Sequence, residues 1–163
     1  MSRPLDPDAF PFGRGRELRT IEEQLDSVSV RGSALLVRGE PGVGKTAILE
    51  AAKLRAASRE MPWLAATGVP SETNLPFAGL YELLRPIVER TERLPGPQQD
   101  ALRAAFGLAD VPAAELFLIA LGALDLLSDF ASEHALLLVV DDAQWLDRVD
   151  HQRSRVYCAP VAV

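Results

Sequence analysis

Residues 39–46 read Gly39-Glu40-Pro41-Gly42-Val43-Gly44-Lys45-Thr46, and this stretch constrains the fold more than any other in the chain. Its glycines and proline disfavour both helix interior and strand ladder there. Just before it, Ala34-Leu35-Leu36-Val37 is a nearly continuous apolar run, as expected of a short strand buried on both faces. Just after it, a helix is expected from about Lys45 to Arg59. A buried strand turned into a helix through a glycine loop belongs in α/β architecture. The glycines let the backbone curl so that successive N–H groups point inward. The residues that open the helix, Lys45, Thr46 and Ala47, add unsatisfied N–H groups and the positive end of the helix dipole. The combination is a cradle for an anion.

The rest of the chain alternates in the same way. Leu18, Ile21, Leu25 and Val28 recur at steps of three and four, giving one apolar face of a first helix over Arg16 to Val28. Trp63 to Thr67 is expected as a second strand, and Gly68 to Leu75 as loop. Three helical stretches follow, at about Phe77–Arg90, Gln98–Phe106 and Ala113–Glu133, separated by Pro95-Gly96-Pro97 and Val111-Pro112. Ala135 to Val140 is the clearest strand, six apolar residues that end on Asp141-Asp142. The expected fold is α/β: a parallel sheet of about three strands, with a helical insertion between the second and the third.

Strand, GxxxxGKT, helix is the context that makes the glycine loop a P-loop, binding a nucleoside triphosphate with Mg²⁺. Lys45 is placed to reach the β- and γ-phosphates, and the Thr46 hydroxyl to join the Mg²⁺ shell. Average residue usage gives the four fixed positions roughly one accidental match per two hundred chains of this length. The second half of the site is the strand ending in Asp141-Asp142, with Asp141 lying 96 residues after Lys45. A carboxylate at the end of a buried strand can hold Mg²⁺, and Asp141 is assigned that part. Asp142 is the candidate to orient an attacking water. Many P-loop hydrolases place the longer Glu there, and Asp reaches about one methylene less far. Without the P-loop, the two acids would read as a polar strand end opening a turn.

Charge and composition exclude other classes. The chain has 163 residues, 48% of them hydrophobic and 25% charged, a globular composition. Its net charge of -6 argues against this chain alone gripping a nucleic-acid backbone. Fifteen of its seventeen cations are Arg, and one of the two lysines is Lys45. A single cysteine, Cys158, permits no internal disulfide, and a reducing, cytoplasmic setting is expected. The longest apolar stretch, Leu116 to Leu124, is too short to cross a bilayer.

Four segments carry a family resemblance: Gly13-Arg14-x-x-Glu17-Leu18, the run Leu35 to Thr46, Leu75-Pro76-Phe77-Ala78-Gly79-Leu80, and Val139-Val140-Asp141-Asp142-Ala143-Gln144-Trp145-Leu146-Asp147. Over roughly residues 10–147 the chain resembles the ATP-binding region of the large LuxR-type transcriptional regulators, within the STAND/AAA-like P-loop class. The P-loop is shared by many families, whereas the third and fourth segments are more particular. The resemblance implies an ATP- and Mg²⁺-dependent switch in transcription regulation. It also implies that Gly13 and Arg14 contact the nucleotide. Alone, Arg14 would read as a solvated surface arginine.

By the same resemblance, residues 1–12 form an arm, 13–147 a partial nucleotide-binding domain, and 148–163 an atypical tail. Family members have the sheet order 5-1-4-3-2, and this sequence offers candidates for strands one, two and three, so the resemblance implies an incomplete sheet. Pro160 in the tail would delete a ladder hydrogen bond from the missing strand, and Asp147–Arg155, with five charges, lacks the apolar face of the helix that would come next. A chain truncated after the Asp-Asp strand is therefore expected, with weak or absent hydrolysis and with self-association through exposed apolar surface. Two other readings stand beside the switch: a motor or loader ATPase acting on DNA or protein, and a remnant or interaction module without a working nucleotide site.

Three minor features close the reading. The apolar helix 113–133 is either a partner surface or a helix buried within a larger module. Trp145 either gates the site or packs. His134 and His151 have no second ligand at metal spacing.

Overall fold

A computed structural model describes residues 14–28, 31–108 and 115–146. Gly13, Asp147, the arm and the atypical tail lie outside the described residues. Five α-helices and two strands occur among them: α1 (Gly15–Ser27), α2 (Lys45–Ser58), β1 (Trp63–Thr67), α3 (Ala78–Leu84), α4 (Gly96–Ala105), α5 (Leu116–Ala131) and β2 (Leu137–Asp141). The described residues form two compact units, one up to Trp63 and the other from Leu64 on.

In the first unit, α1 and α2 pack through Ile21 and Leu25 on one side and Ile48, Ala51, Ala52 and Ala56 on the other, all buried. The alanines are what let α1 lie close. Each large aliphatic side chain buried there contributes about 1.5–3 kcal/mol. Two ion pairs flank the seam, Arg55 to Glu22 at 2.7 Å and Arg59 to Asp26 at 2.8 Å. Being half in solvent, such pairs add about 0–1 kcal/mol each.

The strand expected at Ala34–Val37 does not form: residues 31–40 carry neither helix nor strand. Leu36 is 72% exposed and Leu35 49%, so the run is not buried on either face as expected. The cause is pairing rather than propensity. A strand is made by a neighbour's hydrogen bonds, and among the described residues none pairs with this run. Among the described residues the sheet therefore has two strands, against about three expected.

In the second unit, β1 and β2 lie side by side. The N–H of Gly68, just past β1, donates to the carbonyl of Asp141, the last residue of β2, at 3.0 Å. Their C-terminal ends therefore coincide, and the pair is parallel. Leu64, Ala66 and Val139 are buried, while Trp63, Leu138 and Val140 are exposed. Leu64 joins Leu84, Ile87, Leu102, Ile119 and Leu126 in one core. Helix α5 rests on α4 at Gly122, where a Cβ would come within 3.1 Å of the Gln98 carbonyl and the Leu102 side chain. Its other side leaves Leu116, Phe117 and Leu124 exposed.

The stretch expected as one helix over Phe77–Arg90 is broken. Phe77 adopts a left-handed φ of 62° ahead of α3, and after Leu84 the chain tightens into a 3-10 helix over Arg85–Arg93. Pro86 explains the second change: it has no N–H to donate and its ring crowds the carbonyl four residues back. Arg90 and Arg93 then reach α5 and the residues just beyond it, with Arg90 bonding Glu133 through both oxygens at 2.8 and 2.7 Å. Asp129 lies 3.4 Å from Arg90 and 3.3 Å from Arg93.

Candidate functional site

The glycine loop turns as the sequence requires. Gly42 and Gly44 have φ of 78° and 92°, the left-handed region that L side chains avoid. Gly44 stands at the N-terminus of α2 and its carbonyl accepts from the Ile48 N–H at 3.3 Å. The Val43 N–H donates to the Glu40 carbonyl at 3.3 Å, so the loop folds back on itself. At Gly39 a Cβ would sit 2.8 Å from the Val43 side chain, so a larger residue there would press on the loop.

Two cations hold this loop. The Lys45 ammonium, one residue into α2, donates to the carbonyls of Gly39 and Glu40, each at 3.1 Å. From α1's approach, the Arg14 guanidinium donates to the Val43 carbonyl and to Glu17 at 3.0 Å. A hydrogen bond from its own backbone N–H, followed by the Arg14 bond, holds the Glu17 carboxyl below its ordinary range. A cavity of about 240 Å³ opens here, lined by Arg14, Lys45, Val43, Ile48 and the 35–38 segment. That is smaller than the roughly 300–1,000 Å³ of a whole small-molecule site, room for one end of a ligand.

These features fit a polyphosphate. Left-handed glycines give a curled backbone, the opening turn of α2 supplies Lys45, Thr46 and Ala47 amides, and a lysine ammonium lies over the loop. Gly39, Glu40, Pro41, Gly42, Val43, Gly44, Lys45 and Thr46 thus stand together in the first unit with Arg14. Gly13 is outside the described residues.

Asp141 and Asp142 belong to the second unit. Asp141 ends β2, and its Oδ1 accepts the Asp142 N–H at 2.9 Å. Asp142 takes a left-handed φ of 48° and opens a 3-10 turn over Ala143–Trp145. The Gln144 side-chain amide donates to Asp142 Oδ1 at 2.9 Å. Trp145 is exposed, and its backbone carbonyl carbon would come within 3.0 Å of a Cβ at Gly68. Among the described residues no group of His, Cys, Asp and Glu is placed to hold a metal without help from a ligand. His134 accordingly joins no such cluster.

Gly68 was legible only as loop punctuation, yet its position is tightly determined. A Cβ there would collide with the Asp142 carbonyl oxygen and lie 2.9 Å from the Leu146 nitrogen. Nothing in a single sequence distinguishes such a glycine from an ordinary turn glycine.

An α/β chain with a wrapped GxxxxGKT loop at a helix N-terminus is a P-loop nucleotide-binding protein. Residues 11–156 match the family model of the AAA ATPase domain, and the chain belongs to that family. No curated protein and no solved structure matches it. No helix among the described residues is long and apolar enough to cross a membrane.

Proposed function

We propose that the chain is the ATP- and Mg²⁺-binding module of a transcriptional regulator, a switch set by the nucleotide it holds. The observation that carries the ATP reading is the wrapped loop itself, with Lys45 laid over the Gly39 and Glu40 carbonyls. In this reading the backbone N–H groups between residues 39 and 47, Pro41 excepted, and the Lys45 ammonium bind the phosphates, and Arg14, with Gly13, contacts the nucleotide. Thr46 and Asp141 hold Mg²⁺, which supplies charge neutralisation at the β- and γ-phosphates. The link to transcription is carried by the resemblance at Leu75–Leu80 and Val139–Asp147.

Hydrolysis is slow. In this reading Asp142 orients the attacking water, and its side chain is short for that part. Water activation needs a carboxylate within hydrogen-bond reach of the water, and Asp reaches about one methylene less far than Glu. The net charge of -6 gives this chain no general attraction for nucleic acid. The test is retention of labelled ATP with and without Mg²⁺. Retention that needs Mg²⁺ and disappears in Lys45→Ala supports the assignment, and equal retention by the variant removes it.

A further inference from the structure

The Leu75-Pro76-Phe77-Ala78-Gly79-Leu80 segment has no part in phosphate binding, but its place in the second unit is informative. It leads into α3, whose Glu82 accepts the Thr67 N–H through Oε2 at 2.9 Å. Thr67 is the last residue of β1, and consecutive strand amides point to opposite sides. Gly68 N–H points to β2 and bonds the Asp141 carbonyl, so Thr67 N–H faces the other edge of β1. Glu82 therefore occupies that edge and satisfies an amide that would otherwise face only solvent.

From there the contact passes across the sheet in two steps. Gly68 touches the turn after β2 with its bare α-carbon, leaving no room for a Cβ beside the Asp142, Trp145 and Leu146 backbone. The first turn of α3 closes the same seam with its two smallest residues, Ala78 and Gly79, beside Trp145 and Leu146. The space left in that seam is about 10 Å³, no more than one water needs. The turn that carries Asp141 and Asp142 is thus seated on Gly68, and Gly68 is held in line by its neighbour's bond to Glu82.

We propose that Glu82 is a positioning residue for the acid pair Asp141–Asp142. Its carboxylate fixes the end of β1, and the Gly68 contact passes that constraint to the turn bearing both carboxylates. The inference rests on the reading of Asp141 as the Mg²⁺ residue for its functional consequence, but not for its structural one. Glutamine retains a carbonyl oxygen to accept the Thr67 N–H, while alanine does not.

Two measurements on the full chain test it. Amide hydrogen exchange is compared in wild type, Glu82→Ala and Glu82→Gln. In Glu82→Ala the Thr67, Gly68, Trp145 and Leu146 amides should exchange about fivefold faster, the scale of one lost hydrogen bond, with Leu102 and Leu126 unchanged. Glu82→Gln should stay within about twofold of wild type. Mg²⁺ is then titrated at fixed ATP. Glu82→Ala should need about fivefold more Mg²⁺ for half-maximal effect, with unchanged ATP affinity in EDTA. Wild-type exchange rates in Glu82→Ala, or equal loss in Glu82→Gln, overturn the proposal. An equal fall of ATP affinity with and without Mg²⁺ also overturns it, since that is a general structural defect. If wild type binds no ATP, the nucleotide reading fails by itself and the exchange comparison still decides the role of Glu82.

Discussion

Lys45 donates its ammonium to the Gly39 carbonyl at 3.1 Å, bending back over the loop that precedes it. The loop, the lysine and the N-terminus of α2 are therefore one piece of structure, not three neighbouring motifs. Removing the ammonium takes away two bonds to loop carbonyls as well as a positive charge beside the phosphates. Lys45→Ala should weaken Mg-ATP binding by at least about a hundredfold, the cost of two charge-assisted hydrogen bonds from the ammonium to phosphate oxygens. Both carbonyl bonds are exposed and water can replace them, so thermal unfolding without nucleotide should change little. Equilibrium binding and a melting curve on the same sample check both parts.

Gly44 enters α2 with a φ of 92°. Nothing lies within 4 Å of where a Cβ would be, so the obstacle to substitution is backbone conformation alone. Gly44→Ala should lose about 1–2 kcal/mol of stability, or else twist the loop and weaken ATP binding. Urea unfolding reports the first outcome and nucleotide titration the second.

Asp141 is assigned to Mg²⁺, and Asp141→Asn keeps its size while removing the charge. The metal should then bind roughly ten- to a hundredfold more weakly, as when a supporting carboxylate is lost. Affinity for ATP in EDTA should hold. Titrating Mg²⁺ against fixed ATP separates the two effects.

Gly68→Ala drives a methyl group into backbone atoms, with the Leu146 nitrogen 2.9 Å from the new carbon. Backbone cannot step aside as a flexible side chain can. The variant should be less stable by about 1–3 kcal/mol. Chemical denaturation measures it, and Gly96→Ala, where a Cβ meets nothing within 4 Å, is the matched control.

Glu133 has its pKa lowered from 4.5 to about 2, first by hydrogen bonding to Arg90 and further by the charges of Arg90 and Arg93. A carboxylate with a depressed folded-state pKa contributes stability that is present above its unfolded value and lost as pH falls through the folded one. Stability should therefore drop between about pH 4.5 and pH 2, and Glu133→Gln should flatten that part of the curve. Denaturant midpoints across this range, wild type against variant, provide the check. Because the pair is exposed, added salt should shrink the difference.

Much of this was written in local pattern. The i, i+3, i+7 spacing of Leu18, Ile21 and Leu25 gave α1, the apolar run before Asp141 gave β2, and Trp63–Thr67 formed where expected. The Gly-rich loop was legible because its chemistry is confined to eight consecutive residues. What escaped depends on residues far apart in sequence. Ala34–Val37 has strand composition but no strand, because a ladder needs a partner that propensity cannot supply. The break after Leu84 is encoded locally by Pro86, inside the stretch expected as one helix. Nothing in the sequence singles out Glu82, and only the approach of Thr67, fifteen residues earlier, distinguishes it.

The most direct test of the nucleotide assignment is calorimetric titration of the folded chain with Mg-ATP and, separately, with adenosine. A phosphate cradle predicts a saturable single-site isotherm for Mg-ATP and none for adenosine, with the Mg-ATP signal gone in Lys45→Ala. A flat trace for both ligands, or equal heats for adenosine and Mg-ATP, would contradict it.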